Sequence, residues 1–365
     1  MSKKSTHQNE YYGIQVLRAV AALAVVAGHS TDFLAERNGW QPWQLSWLHG
    51  PAGVDIFFVI SGFVMMISSV RLFGQPHAAK TFLWRRCLRI IPLYWLLTAV
   101  KLFLLLGQPS LGHHGRPSVW NSVASFLFIP SLNPSGEIRP VIPVGWTLSF
   151  EMLFYFLFAC SLTMRKNPLK YLTLAIVAIA TVGVFRTDRW PVWTALADPI
   201  VLEFLAGAVI AEFFRKRTVD KPILGALAAL AGFVVLGAFS IDGVSKLVRV
   251  VGWGIPAVMI VSGFVLMENR ASSRYPAWLL LLGDASYSIY LIQGFVFPLI
   301  HVFFTRGYGA LLVRNHAFAA GTMLIALSVL MVSAVGIVTY LSVERKMTAY
   351  LKGLRLSKTA AIASL

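Results

Sequence analysis

Charge is scarce in this chain, and negative charge scarcer still. Of its 365 residues only 13% are charged, with 15 Asp and Glu against 32 Lys and Arg. Soluble domains carry about 25% charged residues, so an ordinary water-soluble fold is excluded. Cysteine is nearly missing: Cys87 and Cys160 alone cannot make a disulfide framework or a cysteine zinc site. Cys87 opens its apolar run and Cys160 nearly closes its own, which puts both toward the cytoplasmic ends of their expected helices, where they are expected to pack as thiols. His113 and His114 have no further Cys, His or carboxylate at metal-ligand spacing, so no metal is expected. The octets VISGFVMM from Val59 and IVSGFVLM from Ile260 look alike, but eight residues in so apolar a chain establish no repeat.

Apolar length is what the chain has in abundance. Hydrophobic residues make up 57% of it and its mean hydropathy is +0.70. Windows of about 20 apolar residues suffice to cross a hydrocarbon core, and ten are expected, over residues 12–34, 51–70, 87–107, 146–164, 169–185, 198–214, 222–240, 247–267, 282–303 and 317–343. The fold class is therefore an all-α polytopic membrane protein, with tails at 1–11 and 346–365 and one transmembrane domain over 12–345. The stretch Ser118 to Leu132 is too short to span and reads as interfacial or re-entrant. With ten crossings, the two tails and the loops on their side hold 21 of the 32 Lys and Arg, and the opposite loops hold nine. By the positive-inside rule both termini are cytoplasmic. The net charge of +17 is spread over these short loops and met by anionic headgroups of membrane lipids. No module is left to read nucleic acid, so no nucleic-acid partner is expected. Lys3 and Lys4 ahead of an apolar core imitate a signal peptide, but cleavage would discard the residues that follow.

Ionisable groups inside membrane helices are costly and usually functional. Arg18 and His29 lie eleven residues apart in the first run, about three turns, so they share one helix face some 16 Å apart along the axis. His29, Asp55 and Glu151 fall at similar depths below the outer surface, and an imidazole with carboxylates in reach resembles an acid–base site. At the inner end stand Arg18, Arg85, Arg86 and Arg89. Arg86 and Arg89, three apart, are neighbours on a helix surface and could grip an anion together. Alternatively the cluster is a positive-inside anchor, a reading that suits Arg85 best. Asp55 reads equally as a helix N-terminal stabiliser, and Trp146 and Tyr155 as interface aromatics.

These residues carry a resemblance. The succession LRAVAALAVVAGH, GVDIFFVISGFVM, RRCLRIIPLYW, GWTLSFEMLFYFLF and SYSIYLIQ resembles the integral-membrane acyltransferase 3 family from residue 12 to about 345, and within it the exopolysaccharide O-acetyltransferases. The resemblance implies a multi-pass protein of the bacterial inner (cytoplasmic) membrane that carries acetyl or another acyl group from cytoplasmic acyl-CoA, a co-substrate, to a sugar of a glycan or lipid-linked saccharide. It implies His29 and Glu151 as catalytic, Arg18, Arg86 and Arg89 as contacts to the acyl-CoA phosphates, and Asp55, Ser61, Trp146 and Tyr287 as substrate or structural support. Gly62 matches the same run as Ser61. Two departures stand out: Gln293 occupies a position where many relatives have histidine, so no acid or base role is assigned there, and Glu344-Arg345-Lys346 replaces a common Glu-Arg-Pro, a change expected to touch a helix end more than chemistry. No hydrolase-like domain is expected after residue 345.

The expected chemistry is O-acyl transfer. An alcohol is a weak nucleophile at neutral pH, so neutral His29 would take its proton while Glu151 orients His29 or binds the acceptor. A covalent acyl-enzyme is the minor variant. From another class, a transporter or flippase of an anionic glycan or acyl compound also suits ten helices with embedded charges.

Overall fold

The computed structural model describes residues 11–38, 50–108, 116–164, 168–216, 221–239, 245–268, 275–305, 313 and 316–353. Over these residues the chain is an all-α polytopic membrane protein. Lipid cannot satisfy backbone N–H and C=O groups, so crossing segments close their hydrogen bonds within helices. Helices α1 (Tyr12–Asn38), α2 (Gly53–Ser69) and α3 (Ala78–Gly107) precede a short α4 (Val119–Phe126). Then come α5 (Trp146–Thr163), α6 (Pro168–Phe185), α7 (Val201–Arg215) and α8 (Pro222–Ala238). A single turn, α9 (Lys246–Arg249), runs through a π-turn at Val250–Gly254 into α10 (Ile255–Leu266). Last come α11 (Ala277–Thr305) and α12 (Ala317–Thr339). Nine described segments are long and apolar enough to cross a membrane, and α8 is a shorter apolar helix in the place of the seventh expected crossing.

Burial sorts the helices. Two thirds of the apolar window is buried in α1 and in α2, against 28% in α6 and 22% in the last span, so the first two helices form the centre and the others present Leu, Val and Phe to lipid. Helix α1 packs on α2, α10, α11 and α12, while α2 packs on α7. The α2–α7 crossing depends on glycine: a Cβ at Gly62 would lie 1.9 Å from the Phe204 carbonyl oxygen, and one at Gly207 2.0 Å from that of Val59. Small residues that let backbones touch are how membrane helices associate. Gly263 does the same for α10 against Gly225 of α8, so the two similar octets share a packing device.

Three boundaries bear on the site. Helix α3 begins at Ala78 rather than residue 87, so Arg85, Arg86 and Arg89 lie within a helix and not at its start. The last helix does not stop at 343: it passes through a π-turn at Tyr340–Glu344 and remains helical to residue 353. Helix α4 has eight residues, about 12 Å of rise, which cannot cross a bilayer. Ser118 caps it by accepting from the Asn121 N–H at 3.0 Å. The chain then turns back around Asn133, whose Oδ1 accepts from the N–H groups of Ser135 and Glu137 at 3.0 and 2.9 Å.

Candidate active site

Toward the end of the bundle that holds Arg18, a cavity of about 100 Å³ is lined by Arg18, Arg86, Arg89, Ser61, Glu151, Tyr155, Ser286 and Tyr287 among others. Two of the three cations are set by neighbours. Arg18 Nη2 donates to Ser286 Oγ at 2.9 Å, and Arg86 Nη2 donates to Ser68 Oγ at 2.5 Å and to the Val64 carbonyl at 3.4 Å. Glu151 accepts from Tyr155 at 2.5 Å and from Ser61 at 3.3 Å. Tyr287 donates to the Ile90 carbonyl at 2.8 Å, tying α11 to α3. Three guanidiniums facing one lining carboxylate leave a cavity suited to a multiply charged anion. Arg85 does not line it and is exposed.

Toward the other end lies a larger cavity of about 460 Å³, lined by His29, Gln293, Lys101, Asn121, Arg139 and Trp146 among others. His29 Nδ1 is 3.1 Å from Gln293 Oε1, and Gln293 Nε2 donates to the Tyr290 carbonyl at 2.8 Å. A carbonyl can only accept, so the second bond fixes the amide: its NH2 faces Tyr290 and its oxygen faces the imidazole. His29 must then carry its proton on Nδ1, and Nε2 keeps the lone pair. Gln293, left without a role by sequence reasoning, is the residue that sets the tautomer of His29.

A thin wall separates the cavities. Val54 lines both. Tyr290 and Thr147 line the smaller one, and their hydroxyls lie 3.1 Å apart. Tyr290 also donates at 3.1 Å to the carbonyl of Val144, which lines the larger cavity. The Phe57 ring meets Tyr290 edge-on at 6.1 Å.

The expected trio of His29, Asp55 and Glu151 is not one site. Glu151 sits among the arginines, and the hydrogen-bond partner of His29 is Gln293. Asp55 is buried and pairs with Arg249, Nη2 to Oδ2 at 3.0 Å, with Glu203 of α7 beside it. Glu151 is not at the depth of Asp55 either, because it bonds Ser61, about 9 Å further along α2. Ser61, six residues after Asp55, is about 240° further around α2, which is why Ser61 and not Asp55 reaches Glu151. Trp146 lines the larger cavity and meets Phe150 at 5.8 Å and 90°. Glu344 is not at a helix end: it lies in the π-turn, buried, and accepts from Ser288 Oγ at 2.5 Å. Glu203 and Arg249 went unremarked, although the search for charges in apolar runs that found Arg18 would have found them. Among the described residues no group of His, Cys, Asp and Glu could hold a metal; His113 and His114 lie outside them.

An acyltransferase-domain family profile matches residues 11–342. The exopolysaccharide production protein ExoZ of Rhizobium meliloti is 36% identical over 307 residues, 81% of this chain and 89% of that protein. The acyltransferase MdmB of Streptomyces mycarofaciens is 28% identical over 76% of each chain. The O-acetyltransferase OatA of Staphylococcus aureus is 25% identical over 81% of this chain and 52% of its own length. No solved structure matches.

Proposed function

Because the chain belongs to the integral-membrane acyltransferase family whose domain spans residues 11–342, we propose that it is an O-acetyltransferase of the bacterial inner membrane. It takes the acyl group from cytoplasmic acetyl-CoA, or another acyl-CoA, and places it on a sugar hydroxyl of an exopolysaccharide or a lipid-linked glycan. One observation carries the reading: a cationic cavity and an imidazole-bearing cavity meet at a single wall. The positive-inside count favours the arginine end as the cytoplasmic one, and the relatives named for exopolysaccharide production and O-acetyl transfer support a glycan acceptor.

In this mechanism Arg18, Arg86 and Arg89 hold coenzyme phosphates while the thioester end of the pantetheine arm passes the Tyr290 wall. Glu151, held by Ser61 and Tyr155, positions the guanidiniums instead of His29. The acceptor hydroxyl lies against His29 Nε2, which takes its proton as the oxygen attacks the thioester carbonyl. The C–O bond forms, the C–S bond breaks, and the imidazolium returns the proton to the departing sulfur. Gln293 accepts from Nδ1 throughout, the part a carboxylate plays in other histidine bases. Transfer is direct, with no acyl-enzyme.

The test follows labelled acetyl from acetyl-CoA into membrane glycan. Membranes with the native chain should label the glycan and those with His29→Ala should not, at equal protein accumulation. Full labelling by His29→Ala would remove the base from the mechanism. Glycan that crosses the membrane unlabelled would favour the transporter reading.

A further inference from the structure

Beside the histidine cavity lies a second recess of about 260 Å³, and the two share Arg139, Pro140, Trp146 and Arg249. The topology leaves the outer loops only nine Lys and Arg, and four of them, Arg139, Arg186, Lys246 and Arg249, line this one recess. They arrive from three different connections, α4–α5, α6–α7 and α8–α10, so their convergence is a property of the fold and not of one basic stretch. Asp198 is the carboxylate that lines the recess with them.

The ion pairs here are loose. Lys246 Nζ stands 3.6 Å from Asp198, and Arg139 Nε stands 3.8 Å from Glu137, with both cations close to half exposed. Such contacts contribute little and yield readily to a better-placed anion. Arg186 donates from Nε to Thr194 Oγ1 at 3.0 Å, a bond that leaves both terminal nitrogens of the fork to other partners. Arg249 is anchored by buried Asp55 at 3.0 Å. Trp146 and Phe150 form an aromatic wall, and Ser125, Ser131 and Ser149 add hydroxyls.

We propose that this recess binds an anionic group of the acceptor glycan, a sugar carboxylate or a glycan phosphate, on a residue neighbouring the one acylated at His29. The assignment rests on the larger cavity being the acceptor site. Arginine forks match the planar carboxylate and the phosphate alike, the aromatic wall covers the apolar face of a sugar ring, and the shared Trp146 keeps the two subsites contiguous.

The experiment uses the full chain in nanodiscs with labelled acetyl-CoA and four acceptors: membrane glycan, an oligosaccharide bearing carboxylates, the same compound with its carboxyls reduced to alcohols, and the reduced compound with a phosphate at its reducing end. The carboxylated or the phosphorylated acceptor should exceed the reduced one in kcat/KM by about tenfold or more, and the advantage should fade as salt rises; which of the two leads identifies the anion. Arg186→Gln and Lys246→Gln should each raise KM for that acceptor about three- to tenfold, and Arg186→Lys should recover part of the loss. Arg189→Gln, the same charge change on the α6–α7 connection but outside the recess, should have no effect. Equal use of charged and reduced acceptors, or an Arg189 effect as large as that of Arg186, would overturn the anionic subsite while leaving acyl transfer intact. No label in any acceptor, membrane glycan included, would overturn the acyl-transfer reading and this one with it.

Discussion

Replacing Gln293 with Leu tests the mechanism where the structure is most explicit. The change keeps the size of a buried side chain, 1% exposed, and deletes two hydrogen bonds, to His29 Nδ1 and to the Tyr290 carbonyl. The imidazole then loses the acceptor that holds its proton on Nδ1, and a buried N–H without a partner costs about 1–3 kcal/mol. If that cost falls on the reactive tautomer, kcat drops about 5- to 150-fold. KM for acyl-CoA should not change, because the proposed phosphate site lies across the wall. Gln293→Glu keeps an acceptor against Nδ1, so it should recover much of kcat, and the rising limb of its pH–rate profile should move to higher pH because a carboxylate favours imidazolium. The assay is steady-state transfer of labelled acetyl between pH 5 and 9, with folding checked by size-exclusion chromatography. A folded Gln293→Leu protein with native kcat, or a Gln293→Glu profile superimposable on the native one, would refute the tautomer argument.

Further expectations address the donor, the topology and the packing. Arg86→Gln and Arg89→Gln should each weaken coenzyme A binding about ten- to a hundredfold, at 1.5–3 kcal/mol for a charge-assisted contact, with Arg86→Lys a partial rescue and Arg85→Gln near native; equal small losses at all three, measured at matched ionic strength, would reduce the cluster to an anchor. Cysteine introduced at Gly136 should react with an impermeant thiol reagent from outside the cell and cysteine at Gln75 should not, and the reverse pattern would invert the topology. Gly207→Leu should destabilise the bundle by about 1–3 kcal/mol or more through overpacking, seen as a lower thermal midpoint in detergent, since even a Cβ there meets the Val59 carbonyl.

Helix number and the identity of the polar stripe were legible because hydropathy and charge exclusion act locally along a chain. Arg18 and His29 could be placed on one face from spacing alone, and the arginines do share a cavity. What spacing could not supply was where the helices meet: Asp55 points to Arg249, and Glu151 lies level with Ser61 in the arginine cavity, not with His29. Gln293 was invisible for another reason. Its importance lies in one hydrogen bond between α1 and α11, across more than 260 residues, and no local pattern encodes it. The start of α3 was misjudged because basic residues were read as the water boundary, whereas the Arg86 guanidinium is met by Ser68 and the Val64 carbonyl of α2 inside the bundle.

On the proposed mechanism, the wall formed by Tyr290, Thr147 and Phe57 would have to insulate as well as conduct. If, as the proposed topology requires, the two cavities face opposite sides of a bilayer, joining them by water would conduct ions down a membrane potential worth about 2.3 kcal/mol per charge per 100 mV. The Tyr290 phenol, bonded to the Thr147 hydroxyl and the Val144 carbonyl, would close that path in the proposed mechanism while leaving a thin contact for the acyl group to pass. Tyr290→Ala in proteoliposomes should therefore dissipate an imposed proton gradient faster than the native chain, and an unchanged decay would show that the seal lies elsewhere. On this view the side chain would be needed for sealing independently of the proposed transfer reaction, because a leak costs the cell its membrane potential whatever the rate of transfer.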